Sequence, residues 1–149
     1  MKIKECMSKD VCCCNAESTI EEIAKQMNCN HIGCMPVCDY NNKIVGVITD
    51  RDIVLRAVAC GKDLKTTKAS DIMTCNPCSC KENEEVDNAT ELMSVYQIRR
   101  IPVCNEDNNV VGIITLGNIA QNDQNIGTQN VCNTLENICK CSTNSKNAE

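Results

Sequence analysis

The chain contains an internal repeat, and this repeat constrains its fold more than any other feature. When the sequence is shifted by 66 positions, Met7 falls on Met73 without a gap. In the same register, "PVC" at 36–38 matches "PVC" at 102–104, and "NKIVGVIT" at 42–49 matches "NNVVGIIT" at 108–115. Two copies in so short a chain predict two similar units packed about a pseudo-twofold axis, each burying the face that the other leaves open.

The first copy has the pattern of a β-α-β-β-α unit, which places the fold in the α+β class. Ser18 and Glu21 have the spacing of a capping box, and apolar residues follow them at helical intervals. Apolar runs separated by turn residues predict the other elements of this copy. These are a β-rich segment at 11–14, strands at 34–38 and 43–49, and a second helix over about 50–60 that ends at a left-handed Gly61.

The second copy repeats this plan, with a β-rich segment at 77–80 and Asn83 as the expected helix cap. Beyond it, Val131, Leu135 and Ile138 predict a final helix, and the polar end "STNSKNAE" predicts disorder. We therefore divide the chain into repeat one at 1–65, repeat two at 66–124, and a C-terminal helix with a disordered tail at 125–149.

Composition narrows the function classes. The net charge of -5 argues against binding to a nucleic-acid backbone, which usually requires a basic surface. The charged start "MKIKECMSKD" is unlike a secretory signal, and no apolar run approaches the ~18 residues of a membrane span. We expect a soluble, cytoplasmic protein without membrane contact. With two Tyr and no Trp or Phe, its core must be aliphatic.

The stretch "GVITDRDI" at 46–53 contains four consecutive polar residues at the point where a predicted strand ends and a predicted helix begins. Asp50 is a good helix N-cap, and the charge of Asp52 in the first turn suits the helix dipole. A carboxylate there can accept hydrogen bonds from both hydroxyls of a ribose, while free N–H groups and Arg51 can hold a phosphate. The alternative is that these residues only cap the helix, with no ligand, and the stretch by itself leaves both interpretations open.

Two longer motifs carry a resemblance to a known family. "IGCMPVCDYNNKIVGVITDRDIV" and "QIRRIPVCNEDNNVVGIITLGNIA" resemble the halves of a CBS-domain pair, or Bateman module, and the resemblance covers about residues 3–122. It implies two tandem CBS repeats of the β-α-β-β-α type that bind AMP, ADP, ATP or S-adenosylmethionine in clefts between the repeats. It also implies a regulatory role and a homodimer. Gly46, Thr49 and Asp52 match the family's Gly-x-x-Thr-x-x-Asp ribose and phosphate signature.

The resemblance implies two unequal ligand sites. In the second copy Asn118 stands where the first has Asp52, and an amide holds a ribose diol less strongly than a carboxylate does. Arg99 and Arg100 precede "IPV" and either face ligand phosphates or lie solvated at a strand edge. The first site then comprises Asp10, Val11, Cys12, Met35, Pro36, Thr49, Asp50, Arg51 and Asp52. The second, weaker site comprises Asn76, Pro77, Arg99, Arg100, Ile101, Pro102, Thr115 and Asn118.

Fifteen cysteines raise an alternative function, a metal-binding or redox-sensing protein on the same scaffold. Cys75 and Cys78 have C-x-x-C spacing, and "VCCCN" places three cysteines in a row. Strand cysteines of the first copy recur in the second, however, which favours small buried side chains over metal ligands. The recurring pairs are Cys12 and Cys78, Cys14 and Cys80, and Cys38 and Cys104.

No nucleophile and base stand together in the sequence, and the single histidine has no evident partner. We therefore expect no enzymatic activity, no metal and no required cofactor. The expected mechanism is a population shift, in which a ligand favours one arrangement of the repeats and an unknown effector protein reads the change.

Overall fold

The computed structural model describes residues 1–122 and 127–140, and its elements follow the repeat. The strands are β1 Cys14–Asn15, β2 Cys34–Cys38, β3 Ile44–Thr49, β4 Thr74–Cys75, β5 Cys80–Lys81, β6 Arg100–Cys104 and β7 Val110–Thr115. The helices are α1 Ile3–Cys6, α2 Ile20–Asn30, α3 Asp50–Asp52, α4 Ala69–Ile72, α5 Val86–Tyr96, α6 Leu116–Gln121 and α7 Thr128–Cys139. A π-helix, Ile53–Val58, continues α3.

The central hairpin of each copy confirms the predicted strands. In the first copy β2 pairs antiparallel with β3, with Cys34 opposite Thr49, and in the second β6 pairs with β7 in the equivalent register. The first hairpin turns at Asp39, whose Oδ1 accepts the backbone N–H groups of Asn41 at 2.8 Å and Lys43 at 2.9 Å. Because the two hairpins share one register, Thr49 and Thr115 end their strands at equivalent points.

The helix starts differ from the prediction. Thr19, not Ser18, caps α2, and its hydroxyl accepts the N–H of Glu22 at 3.3 Å while Glu22 accepts the N–H of Thr19 at 3.0 Å. Ser18 instead accepts a hydrogen bond from Asn15 within the preceding turn. Asn83 does not cap α5, since its side chain accepts from Lys4 Nζ at 2.8 Å.

Two other elements are shorter than predicted. The β-rich segments reduce to β1 and β5, two residues each, which begin at the last residue of each predicted segment. The helix expected over about 50–60 is α-helical only over Asp50–Asp52 and continues as the π-helix, while Gly61 has the expected left-handed backbone with φ of 68°.

The two copies exchange their first segments. The strand β4, which opens the second copy, joins the sheet of the first copy in the order β1-β2-β3-β4, where Thr74 pairs with Val47. Reciprocally, Ser8 of the first copy pairs with Ile113 in β7 of the second. The pairs Val47–Thr74 and Ser8–Ile113 are equivalent under the 66-residue repeat, so the exchange follows the pseudo-twofold symmetry.

The hydrophobic cores follow the same exchange. Ala69 and Ile72 of α4 pack into the core of the first copy, and Ile3 and Cys6 of α1 pack into the core of the second. Each core therefore contains apolar side chains from both copies, which fixes the two units against each other.

Two equivalent positions, Gly46 and Gly112, are glycine because the exchanged segments lie too close to the backbone there to leave room for a side chain. A Cβ at Gly46 would lie 2.5 Å from Met73 Sδ, and a Cβ at Gly112 would lie 2.6 Å from Met7 Sδ. The exchanged segments thus need glycine where they cross β3 and β7. This gives the first residue of the Gly-x-x-Thr-x-x-Asp pattern a packing role that is independent of any ligand.

The predicted C-terminal helix is present as α7, which packs against α5 and α6. Ile138 is buried and Val131 lies against the core of the second copy, as their spacing predicts. Leu135, by contrast, is not part of this core, and 43% of its surface is exposed. The expected disordered end at 142–149 lies outside the described residues. Among the helices that the structure describes, none is long and apolar enough to cross a membrane.

Candidate ligand-binding cleft

A cleft of about 850 Å³ lies between the two copies, and both copies line it. From the first come the end of β3 and the start of α3. From the second come the exchanged segment around β4 and the start of β6. The lining side chains that the sequence singled out are Thr49, Asp50, Arg51, Asp52, Asn76, Pro77, Arg99, Arg100 and Pro102.

Asp52 and Thr49 form two reciprocal hydrogen bonds at the junction of β3 and α3. Asp52 Oδ2 accepts the N–H of Thr49 at 3.0 Å, and the Thr49 hydroxyl accepts the N–H of Asp52 at 3.1 Å. The second carboxylate oxygen, Oδ1, is 3.8 Å from Arg56 Nε, and the Asp52 side chain is 15% exposed. The fold therefore fixes one carboxylate oxygen and leaves the other with unused acceptor capacity in the cleft.

Three guanidinium groups share this cleft with two carboxylates. Arg51, Arg99 and Arg100 carry three positive charges against the two negative charges of Asp50 and Asp52, a balance of +1. The packing of the second copy against the first places Arg99 and Arg100, at the start of β6, in the same cleft as Thr49 and Asp52. Such a set of cations suits a bound phosphate group, because guanidinium groups bind phosphate oxygens through charge-assisted hydrogen bonds.

The cleft also has apolar walls that sequence reasoning missed. Val47, Ile98 and Cys78 line it together with Pro77 and Pro102, and Tyr96 at the end of α5 adds one of the two aromatic rings in the chain. An apolar wall with one exposed ring suits a flat heterocycle. The signal in the sequence was that Tyr96 is one of only two Tyr in a chain without Trp or Phe, and the structure leaves 60% of its surface exposed.

The structure regroups the predicted site residues. Asn76 and Pro77 line the cleft of Asp52, because their segment belongs to the sheet of the first copy. By the same exchange, Asp10 and Val11 follow Ser8, which lies against β7 of the second copy.

Three predicted residues lie beneath the surface, and a fourth, Cys12, packs against the core of the first copy and does not line the cleft of Asp52. Met35 and Ile101 are fully buried in the two cores, and Pro36 is also buried, so none of them lines the cleft. Cys12 accepts a hydrogen bond from Asn30 Nδ2 at 3.9 Å at the end of α2. Cys78 and Tyr96, the equivalents of Cys12 and Asn30, stand together in the first cleft.

The equivalent junction of the second copy has its polar atoms engaged. Asn118 Oδ1 accepts the N–H of Thr115 at 3.0 Å and its hydroxyl at 2.8 Å. Asn118 Nδ2 donates to Ser8 Oγ at 3.2 Å. The side chain that replaces Asp52 is thus neutral and already hydrogen-bonded at both ends.

The cysteines do not form a metal centre in the part of the chain that the structure describes, where no three His, Cys, Asp or Glu side chains converge. Burial raises the pKa of the Cys14 and Cys80 thiols to about 12. A hydrogen bond to Cys38, together with burial, also raises the pKa of Cys13. Thiols with raised pKa values carry little thiolate at neutral pH and are poor nucleophiles and ligands.

Comparison with protein families gives a match over both copies. A model of the CBS domain matches residues 3–58 and 69–124. CBS domain-containing protein YhcV of Bacillus subtilis is 35% identical over 136 residues, which cover 91% of this chain and 94% of that protein. The similarity extends over nearly the whole length of both proteins.

Two solved structures share this architecture. The CBS domain pair of protein MJ0100, in complex with 5′-methylthioadenosine and S-adenosyl-L-methionine, is 32% identical with a TM-score of 0.75, covering 85% of this chain and 98% of that one. Hypoxic Response Protein I, with two coordinated zinc ions, is 30% identical with a TM-score of 0.75, covering 81% of this chain and 98% of that one.

Proposed function

This chain belongs to the CBS-domain family, and on that premise we propose that it is a regulatory module that binds an adenosine-containing ligand between its repeats. The observation that carries the proposal is the convergence of Thr49, Arg51 and Asp52 of one repeat with Arg99 and Arg100 of the other around a single cleft. The MJ0100 pair, which is similar over most of its length, holds two adenosine compounds.

Each part of such a ligand has a complementary surface in the cleft. The unused acceptor capacity of Asp52 Oδ1 suits the ribose hydroxyls, with the Thr49 hydroxyl next to it. The guanidinium groups suit phosphate, and the apolar wall with Tyr96 suits adenine. The carboxylate, guanidinium and apolar surfaces thus correspond to the three parts of an adenine nucleotide.

The charge balance of the cleft favours AMP, ADP or ATP over S-adenosylmethionine. Phosphates bring negative charge to three guanidinium groups, whereas the sulfonium of S-adenosylmethionine brings a further positive charge. S-adenosylmethionine stays a candidate because the MJ0100 pair binds it.

A second site around Thr115 and Asn118, with Asp10, Val11 and Cys12 beside it, is proposed to be weak or empty. Asn118 has no charge, and both ends of its amide are hydrogen-bonded within the protein. A ligand there has to break these bonds to reach the amide.

The proposed activity is regulatory, without catalysis, and a ligand acts by favouring one arrangement of the two repeats. An effector protein then binds one of these arrangements in preference to the other. The module is proposed to form a homodimer through the π-helix, where Val54, Leu55 and Val58 are about half exposed.

The metal or redox alternative has one supporting observation, the zinc-bound structure of Hypoxic Response Protein I. The described residues of this chain bring no three ligand-type side chains together, so the nucleotide proposal is favoured.

A thermal-shift panel tests the proposed function directly. AMP, ADP, ATP, 5′-methylthioadenosine and S-adenosylmethionine are each added to the full chain, with an extrinsic dye because the chain has only two Tyr and no Trp. A ligand that binds only the folded state stabilises it by RT ln(1 + L/Kd), where L is the free ligand concentration, so the melting temperature rises with ligand concentration. The proposal predicts a rise with at least one of these compounds, and no rise with any of them contradicts it.

A further inference from the structure

The C-terminal helix α7 touches two residues that line the cleft. Gln97 Nε2 donates to the backbone oxygen of Lys140 at 2.6 Å, and Arg99 Nη2 approaches Cys139 Sγ at 3.9 Å. Gln97 also reaches the backbone oxygen of Asn137 at 3.4 Å. Carbonyl groups at the end of α7, which lack partners inside the helix, are therefore held by a cleft residue.

The contact between α7 and α5 includes a polar groove beside its apolar packing. A polar groove of about 320 Å³ separates α7 from α5, with Asn130 Nδ2 donating to Asp87 Oδ1 at 3.2 Å across it. The buried Thr134 turns its hydroxyl back to its own helix, onto the oxygen of Asn130 at 2.8 Å. The apolar side chains that α7 brings to the core are the buried Ile138 and the partly buried Val131. A helix with so little buried apolar surface is easily loosened.

Arg99 has a poor partner at α7 and a better one in the proposed ligand. A thiol is a weak hydrogen-bond acceptor, and 3.9 Å is a long contact. A phosphate group accepts two charge-assisted hydrogen bonds from one guanidinium. Because the contact with Cys139 uses Nη2, a phosphate that takes the same N–H displaces the thiol, and the phosphate is the stronger of the two partners.

We propose that phosphate in the cleft and the end of α7 compete for Arg99, so that α7 loosens when a phosphate-bearing adenosine ligand binds. This inference rests on the proposed function and adds the element through which occupancy of the cleft is reported. Linkage makes the coupling reciprocal, because any change that loosens α7 frees Arg99 and tightens the binding of the same ligand.

Hydrogen–deuterium exchange on the full chain tests this coupling, with ATP as the probe at a concentration that calorimetry shows to saturate the cleft. The expected result is an increase of about threefold in the exchange rate of peptides from 131–140, with 20–30 in α2 unchanged. 5′-Methylthioadenosine is the matched control, because it lacks phosphate and is expected to leave α7 unchanged. Unchanged or slower exchange over 131–140 with bound ATP overturns the inference.

Two substitutions on the same helix test reciprocity. Ile138→Ala removes the buried apolar contact of α7 and is expected to tighten ATP binding by about threefold. Leu135→Ala changes the exposed neighbouring aliphatic residue and is expected to leave the affinity unchanged. If Ile138→Ala lowers the melting temperature too far for titration, Cys139→Ala tests the same coupling, with a smaller gain. Unchanged or weaker ATP binding in the variant that is titrated contradicts the competition.

The failure of this inference differs from the failure of the proposed function. Binding of ATP without faster exchange in α7 overturns the coupling alone. Binding of S-adenosylmethionine without binding of ATP also overturns the coupling, because no phosphate then reaches Arg99. Binding of none of the adenosine compounds overturns both.

Discussion

Asp52 and Thr49 exchange hydrogen bonds at the junction of β3 and α3, with Asp52 Oδ2 accepting the Thr49 N–H at 3.0 Å and the Thr49 hydroxyl accepting the Asp52 N–H at 3.1 Å. Asn118 and Thr115 form the same reciprocal pair in the second copy. The two copies therefore share a backbone plan and differ in charge and in unused acceptor capacity.

Asp52→Asn is expected to weaken binding of the adenosine ligand by about tenfold. Asparagine keeps the cap, as Asn118 does in the second copy, but loses the charge that strengthens hydrogen bonds from ribose by about 1 kcal/mol each. Isothermal calorimetry measures the change. Asn118→Ala is the control, since it alters the second copy and is expected to change the affinity less than twofold; equal effects of the two substitutions contradict the assignment.

Arg99→Ala and Arg100→Ala are each expected to weaken ATP binding by about tenfold, the usual scale of one charge-assisted contact. Their effect on 5′-methylthioadenosine is expected to be small, because this compound has no phosphate. Lys25→Ala provides a matched loss of positive charge on α2, where Lys25 pairs with Glu21 outside the cleft. Equal losses for both ligands indicate a general structural effect and argue against phosphate contacts.

Gly46→Ala is expected to destabilise the fold by about 2 kcal/mol, because its Cβ would lie 2.5 Å from Met73 Sδ and 3.0 Å from the backbone oxygen of Thr74. Gly117→Ala is the control, since its Cβ meets only Thr115 Oγ1 at an ordinary 3.5 Å within α6. We expect that change to add about 0.5–1 kcal/mol of stability. Urea unfolding measures both, and similar losses in the two variants contradict the close-packing argument.

Stability is expected to fall at high pH through the buried cysteines. Burial raises the pKa of Cys14 and Cys80 from 9.0 to about 12, so the folded chain keeps protons that the unfolded chain releases. This contribution is complete below pH 9.0 and is lost as the pH rises through about 12.

Urea unfolding under reducing conditions between pH 8 and pH 11 measures this slope. The double variant Cys14→Ala, Cys80→Ala is expected to show a flatter dependence than the parent chain. Cys29→Ala, Cys132→Ala serves as the control because both thiols are exposed. A slope unchanged by the buried pair contradicts the role of these two thiols.

The exposed apolar side chains of the π-helix are the proposed interface of a homodimer. Val54→Lys with Val58→Lys is expected to convert a homodimer into monomers, since both side chains are more than half exposed in one chain. Sedimentation equilibrium measures the mass. Val95→Lys, which changes an exposed valine on α5, is the control, and a monomeric parent chain contradicts the proposed interface.

Sequence reasoning located the hairpins because alternating and turn residues mark them directly. It placed β2 at 34–38 as observed, and it located the Thr49 to Asp52 junction at the end of β3. It chose the wrong capping residue because Ser18–Glu21 and Thr19–Glu22 both have the spacing of a capping box. Only the register of α2 against its core decides between them.

The grouping of the site residues could not be predicted from the sequence. A repeat of 66 residues is equally compatible with first segments that stay in their own copy and with segments that exchange. Met7 and Met73 occupy equivalent positions in either arrangement, and it is their contacts with Gly112 and Gly46 in the folded chain that distinguish the two. The exchange brings Asn76 into the cleft of Asp52, and the packing of the two copies against each other places Arg99 there.

Calorimetric titration of the full chain with ATP and with S-adenosylmethionine gives both the affinity and the number of sites, and so distinguishes one competent cleft from two. We expect one strong site per chain for at least one of these ligands, lost or weakened about tenfold in Asp52→Asn. Two equal sites per chain, no binding of either ligand, or unchanged affinity in Asp52→Asn would contradict this expectation.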